Sequence, residues 1–438
     1  MSRKKVNREP RQGEVLDLTH DGRGVLRHEG KTVFVPDVLP GEAITYRAMR
    51  RKRSFDEGEL LELHSRHADR VEPQCAHFGV CGGCVLQHLA PQSQLAFKQK
   101  HLADVFSRIG QVSPKRWLEP LTGPHWGYRR RARLAVKYVH KKERVLVGFR
   151  ERGKPYVADI QRCEVLDPRV GHRLEELATL IAGMDARESI PQIEVAMGDQ
   201  HVCLVFRHLE ALSNDDVERL RHYGRDTGLW IYLQPGGLDS VHALEDDAPV
   251  LRYALPQYEV DLEFTPIDFV QVNAELNQRM IPHALALLDL QPEDRVLELF
   301  AGLGNFTLPM ARAGARVIAV EGDDGLVERG RANANRQGLD AEYHVADLFQ
   351  PQQGAPWLQS GFNKVLLDPP RAGAEQILPE LLAKKPQRIV YVSCHPASLA
   401  RDAGIIVNAG YRCSEAGVMD MFPHTGHVES IALFERRS

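Results

Sequence analysis

Apolar and polar positions divide the chain into three stretches with different periods. Between residues 12 and 68 they alternate in short runs, as in GEVLDLTHDGRGVLRHEGKTVFV, with Asp21-Gly22 and Glu29-Gly30 between runs. A period of two broken by turn pairs predicts about five short strands, enough for a small barrel. Residues 73–265 are mixed, with strand-like segments such as YRRRARLAVKY and HVCLVFRHL. From about 266 the pattern changes. DRVLELFAGLGNFTLPMARAGARVIAVEGD reads as strand, glycine turn, helix and a second strand with an acidic end. FNKVLLDPPRAG and RIVYVSCHPASLARD are further strand-to-helix units. This alternation predicts a doubly wound, mainly parallel α/β sheet. The expected domains are therefore 1–70, 71–265 and 266–438.

Composition narrows the class. The 438 residues exceed one compact core, and 43% hydrophobic with 26% charged residues is the balance of a soluble globular chain. The start, MSRKKVNREPRQ, has no apolar segment of a secretion signal behind it. No run approaches the roughly 18 apolar residues of a membrane helix. Seven cysteines are too few and too unevenly placed for a disulfide scaffold. The expected compartment is the cytoplasm, where clustered cysteines point to metal or catalysis. Net charge is only -3, but RAMRRKR (47–53) and RRRAR (129–133) concentrate positive charge. Together they are expected to mark a phosphate-binding surface, and the N-terminal barrel to hold RNA.

Candidate chemistry gathers at predicted strand ends. In LELFAGLGNFT, Gly302 and Gly304 stand where strand meets helix and let backbone approach a ligand. The spacing is not that of a dinucleotide fingerprint. Glu321 closes the next strand, where an acid can accept ribose hydroxyls, and Asp347 follows the third, where an acid can meet an adenine amino group. This ordered series resembles the class I S-adenosylmethionine methyltransferase fold. Separately, CAHFGVCGGC sets Cys75, Cys81 and Cys84 in one glycine-rich loop, with Cys163 further on. Three close thiols and a distant one suit tetrahedral zinc or a four-iron cluster, and spacing leaves both open. Cys203 and Cys413 read as packing.

Cys394 stands at the lip of a strand, before Pro396 and a helical run; Asp368 opens DPPRAG, and Glu429 lies in FPHTGHVES. Ligands of open α/β sheets sit at carboxyl strand ends, so these loops are expected to converge. DPP followed by an aromatic residue would suit methylation of an exocyclic nitrogen, but Arg371 stands there and a cysteine is added. C5 of uracil is weakly nucleophilic. A thiolate adding to C6 makes an enolate whose C5 can attack a sulfonium methyl; a base then removes the C5 proton and the thiolate leaves. Cys394 and Glu429 fit nucleophile and base, and the helix after Cys394 is expected to lower its pKa.

FAGLGNFTLP, VLLDPPRAG, VYVSCHPASLARD and DMFPHTGHVES, in this order, resemble the RNA 5-methyluridine methyltransferase family over almost the whole chain. Having both a cysteine cluster and a TRAM-like N-terminal barrel is similar to its 23S ribosomal RNA branch. The resemblance implies methyl transfer from S-adenosyl-L-methionine to C5 of a specific uridine in 23S ribosomal RNA by a monomer. It implies a 4Fe-4S cluster on Cys75, Cys81, Cys84 and Cys163. Cofactor contacts are implied for Gln271, Phe300, Asn305, Glu321, Asp347 and Asp368, stacking of a flipped base for Phe269, and positioning of Glu429 for Arg133. Ala301 stands where the family pattern has Cys, and Pro370 where it commonly has Ala; neither removes a reacting group.

Overall fold

The structure, a computed structural model, describes residues 9–437 in two compact units. The first comprises the chain up to Lys98 with Phe149–Ala158 and Phe422–His427; the second holds Gln99–Gly148, Asp159–Met421 and the chain from Val428.

The first unit begins with six strands rather than five: β1 (Pro10–Glu14), β2 (Asp17–Leu18), β3 (Gly24–His28), β4 (Lys31–Val35), β5 (Ala43–Arg51) and β6 (Phe55–Leu63). The extra strand is a two-residue one that alternation cannot resolve. Sheet order is β1-β5-β6-β4-β3-β2. Glu29 and Gly30, both at positive φ, turn β3 into β4, as the primed hairpin turn requires. Between β1 and β2 the Val15 amide donates to Glu42 and the Leu16 amide to Val25. One bend thus joins both edges of the sheet. Val15, Leu26, Val33, Val35, Val38, Ile44 and Tyr46 fill its inside. Glu42 is buried and accepts from both Arg70 Nε (2.6 Å) and Nη2 (2.7 Å). Burial opposes ionisation there, but the bonds from Arg70, His67 and Leu39 outweigh it and lower the carboxyl pKa.

The second unit opens with β7 (Arg116–Trp117), which joins its last sheet. Next come β8 (Arg131–Val139), β9 (Arg144–Gly148), β10 (Gln192–Met197), β11 (Val202–Arg207), β12 (Trp230–Gln234) and β13 (His242–Ala243), in the order β13-β12-β11-β10-β8-β9. Cys203 is buried in β11, as packing predicts. A hairpin of β14 (Leu251–Leu255) and β15 (Val260–Phe264) precedes the main sheet.

That sheet holds β16 (Arg295–Leu299), β17 (Arg316–Glu321), β18 (Ala341–Val345), β19 (Lys364–Leu367), β20 (Arg388–Ser393), β21 (Tyr411–Met419) and β22 (Glu429–Arg436). The order is β18-β17-β16-β19-β20-β22-β21-β7, with β16 to β20 parallel and β22 antiparallel to both neighbours. Helices Thr307–Arg312, Asp324–Arg336, Leu378–Ala383 and Pro396–Asn408 alternate with the strands. Strands covered on both faces read as unbroken apolar runs, which is why KVLL and IVYV do not alternate. Chain order reverses between β16 and β19, the switch point where such sheets bind ligands. Cys413 is buried in β21. Among the described residues no helix is long and apolar enough to cross a membrane.

Candidate functional site

The carboxyl ends of the parallel strands bring the predicted groups to one edge. Phe300 follows β16 at φ 64 and rests against Phe349, ring centroids 5.9 Å apart. Gly302 has φ 56 and open space where a side chain would start. Gly304, at φ 97, has none: a Cβ would come 2.5 Å from the Tyr343 hydroxyl. The first glycine leaves room for a ligand, and the second lets the turn close on the sheet. Glu321 ends β17 and accepts from the amides of Gly302 (3.0 Å), Gly322 (2.7 Å) and Asp323 (3.2 Å). Its carboxylate is thereby held beside the glycine turn. Asp347 follows β18 and caps its own turn, accepting the Phe349 amide at 3.0 Å.

Asn305 has a different setting from the expected one. It exchanges two 2.9 Å bonds with the Asn277 amide and accepts the Tyr253 hydroxyl at 3.0 Å. These bonds tie the glycine turn to the helix Ala274–Leu288 and to β14. Gln271 lies just before that helix, near the exposed Phe269 (69% accessible).

Asp368 follows β19, and its amide lies 3.4 Å from the Leu299 carbonyl of β16. Burial first, then the charge of Glu321, raise its pKa to about 7. In the β20–β22 pair Ser393 faces Ser430, and the Ser430 hydroxyl donates to the Ser393 carbonyl at 3.1 Å. Cys394 directly follows Ser393 and Glu429 directly precedes Ser430, and the Glu429 charge acts on the Cys394 thiol. Glu429 is buried, and burial, then Asp368, raise its pKa well above the ordinary carboxyl value.

The expectation of an acidic Cys394 is overturned. Burial, then Glu429 and Asp368, push its thiol up to about 11, and Arg371 offsets only part. The helix end is otherwise engaged. Pro396 lacks an amide proton, the Ser398 amide donates to His395 Nδ1 (3.3 Å), and the Leu399 amide to the His395 carbonyl (3.2 Å). Arg133 is a second correction. It lies in β8, mostly exposed, and pairs with Glu194 of β10 at 3.0 Å rather than with Glu429.

The basic runs are also less free than their composition suggests. Across β5 and β6, Arg47 pairs with Glu59, Arg50 with Glu57 (3.4 Å) and Arg51 with Asp56 (4.0 Å). In the second run Arg130 pairs with Asp199 (2.5 Å), and Arg131 lies 4.0 Å from Glu194. Acids on β6, on β10 and in the turn after β10 thus engage part of each run.

Cys75, Cys81 and Cys84 lie in the first unit, in a loop with Gly79 at φ 87, and none of them is in a disulfide. The Gly83 amide donates to Cys81 Sγ at 3.4 Å. Burial raises the Cys81 pKa, only partly offset by that bond. Cys163 lies in the second unit, its amide bonded to the Gly171 carbonyl at 2.8 Å. The donor chemistry suits a soft metal or cluster. Among the described residues, however, no three His, Cys, Asp or Glu side chains gather in ligating geometry.

Glu298 is a site residue that sequence reading missed. It is buried in β16 beneath the glycine turn and accepts from Thr307 Oγ1 at 2.5 Å. Burial raises its pKa to about 8; the Thr307 bond works against the rise, and Asp368 and Glu321 add to it. The available signal was a lone acid inside the apolar run VLEL.

The sequence profile of the family described as tRNA (Uracil-5-)-methyltransferase matches residues 91–437. Proteins named 23S rRNA (uracil(1939)-C(5))-methyltransferase RlmD from Xanthomonas euvesicatoria pv. vesicatoria (strain 85-10) and Alkalilimnicola ehrlichii are each 52% identical to this chain over 441 residues. Each match covers 100% of this chain and 99% of the relative. Among solved structures, the Pyrococcus abyssi tRNA (uracil-54, C5)-methyltransferase in complex with S-adenosyl-L-homocysteine superposes with a TM-score of 0.74 at 26% identity. That match covers 97% of this chain and 100% of the other.

Proposed function

The chain belongs to the RNA uracil-5-methyltransferase family, and from that premise we propose that Cys394 and Glu429 carry its reaction as nucleophile and base. It is an S-adenosylmethionine-dependent RNA (uracil-C5)-methyltransferase of the 23S ribosomal type, acting on uracil 1939 as its relatives are named to do. The observation that supports the chemistry is that the Ser393–Ser430 pair brings the ends of β20 and β22 together, with Glu429 and Asp368 close enough to act on the Cys394 thiol. The cofactor supplies an electrophilic methyl and a positive sulfonium. Gln271, Phe300, Asn305, Glu321, Asp347 and Asp368 hold it, and the Asn305 side chain also braces the glycine turn.

The target uridine leaves its stack at a cost of about a few kcal/mol, with Phe269 as a stacking surface. The Cys394 thiolate forms a bond to C6, and the resulting enolate at C5 takes the methyl group. Glu429 removes the C5 proton, and elimination of the thiolate restores the aromatic base. Burial, Glu429 and Asp368 disfavour the Cys394 thiolate, and burial with Asp368 disfavours the Glu429 carboxylate.

RNA carrying 5-fluorouridine at the target tests this scheme. Fluorine cannot leave as a cation, so wild-type protein and S-adenosylmethionine should form a lasting covalent adduct. Cys394→Ala should give neither adduct nor methylated RNA. Glu429→Gln should methylate and then stall, accumulating adduct on ordinary RNA. Near-normal methyl transfer to C5 by Cys394→Ala would refute the nucleophile.

The N-terminal sheet is read as a TRAM-type RNA-binding barrel. Cys75, Cys81, Cys84 and Cys163 are read as ligands of a 4Fe-4S cluster, supported by the absence of any disulfide among them and by the amide bond to Cys81. Protein prepared without oxygen should be brown and contain about four iron and four sulfide per chain. Stoichiometric zinc without sulfide would replace the cluster by a structural zinc site. The protein is taken to act as a cytoplasmic monomer.

A further inference from the structure

The helix behind Cys394 carries a carboxylate that the reaction scheme does not use. Asp402 is fully buried. Its Oδ2 accepts from the Tyr391 hydroxyl at 2.6 Å and from the Ala374 amide at 2.7 Å. Its Oδ1 accepts from Arg401 Nε at 2.8 Å. Arg401 in turn donates to the Ala372 carbonyl at 2.8 Å and pairs with Glu375 at 3.2 Å.

These bonds join three elements that the chemistry needs in register. Tyr391 lies in β20, three residues before the nucleophile. Ala372 and Ala374 belong to the loop that begins at Asp368. Asp402 itself rides on the helix Pro396–Asn408, which starts two residues after Cys394. The loop comes close to make the contact. At Gly373, φ 82, a Cβ would lie 2.6 Å from Asp402 Oδ2 and 2.5 Å from Arg401 Nη2. A desolvated carboxylate is destabilising unless its lone pairs are engaged, and apolar packing could fill the same space without that cost. What a charged acceptor adds is a fixed geometry for each donor.

We infer that Asp402 is a positioning residue that sets the distance between the Cys394 nucleophile and the Asp368 cofactor loop. The inference rests on the covalent scheme above. Asp402 touches neither base nor cofactor; it acts through β20 and the loop.

The test uses the full chain and RNA with 5-fluorouridine at the target. Three quantities are compared: trapping rate, S-adenosylmethionine affinity and melting temperature. Asp402→Asn keeps the volume and one acceptor oxygen but loses the charge. Its trapping rate should fall about tenfold or more while cofactor Kd stays within about threefold, because a small misplacement of reacting atoms costs rate rather than binding. Tyr391→Phe leaves Asp402 its other two donors and should fall between. Joined in one chain, the two changes should cost less than the product of their separate effects. Trapping at the wild-type rate in both, with only a lower melting temperature, overturns the inference. Parallel losses of trapping and cofactor affinity overturn it too, as general loosening. If Asp402→Asn does not fold, Tyr391→Phe decides by the same criteria. Failure of the wild type to trap is a distinct result: it removes the covalent scheme, and this inference with it.

Discussion

Cys394 is a poor nucleophile in the cofactor-free protein. With its thiol pushed up to about 11 by burial and by Glu429 and Asp368, it is protonated at neutral pH. A positive sulfonium nearby favours the thiolate, so cofactor binding should prepare the nucleophile. Alkylation of the Cys394 peptide by iodoacetamide, followed by mass spectrometry, reads this directly. Without cofactor the rate should climb about tenfold per pH unit to a midpoint near 11. S-adenosylmethionine should move the midpoint down, and S-adenosylhomocysteine, uncharged at sulfur, should move it less. A cofactor-free midpoint near the ordinary 9.0 would contradict the electrostatic setting. The residue itself was legible from its motif. The sign of its pKa shift was not, because Glu429 and Asp368 arrive from other strands and His395 engages the helix amides.

The strand ends gather acids that were each placed for a separate reason. Glu298, Asp368 and Glu429 all have raised carboxyl pKa values, and burial is the first cause of each. For Glu298 the sign is definite. Its folded pKa of about 8 lies above the ordinary 4.5, so its contribution to stability is present at low pH. That contribution is lost as pH rises through about 8. Glu298→Gln keeps an acceptor for the Thr307 hydroxyl and carries no charge. It should be more stable than wild type at pH 9 by about a few kcal/mol, with little difference at pH 5. Thermal melts at both values decide; equal melting temperatures at pH 9 would mean that Glu298 ionises without strain. The glycine turn and Glu321 were readable because each stands at the end of an apolar run, and Asp347 because it follows the next strand. The Asn305–Asn277–Tyr253 bonds were not, since they join segments that sequence separates.

For RNA binding by the whole molecule, the pairing of the basic runs matters more than their count. Arg50 and Arg51 are the more exposed cations of β5, with side-chain accessibilities of 65% and 50%, and they face Glu57 and Asp56. Phosphate must compete with those partners. Arg50→Glu with Arg51→Glu should weaken RNA binding and reduce its log–log salt slope by about one to two. Glu57→Gln, which releases Arg50, should strengthen binding at low salt. If neither change alters affinity, this strand is not an RNA surface. Point substitutions are cleaner than removing residues 1–70. Such a deletion takes away Glu42, Arg70 and Asp37, the last of which pairs with Arg152 at 2.5 Å in the same unit.

The sequence by itself determined the order of strands and turns from 295 onward, the cysteine loop and the places of Cys394 and Glu429 at strand ends. Apolar runs, glycine turns and reactive residues at strand lips are local signals, since burial on both faces and backbone conformation act within a few residues. Only the tertiary structure decided which charges meet. Arg133 belongs to Glu194 because β8 pairs with β10, and three arginines of RAMRRKR meet acids because β6 lies beside β5. Glu429 comes to act on Cys394 because β22 runs antiparallel to β20, pairing Ser430 with Ser393. Electrostatic energy depends on distance through space and on desolvation, and neither is a function of position along the chain.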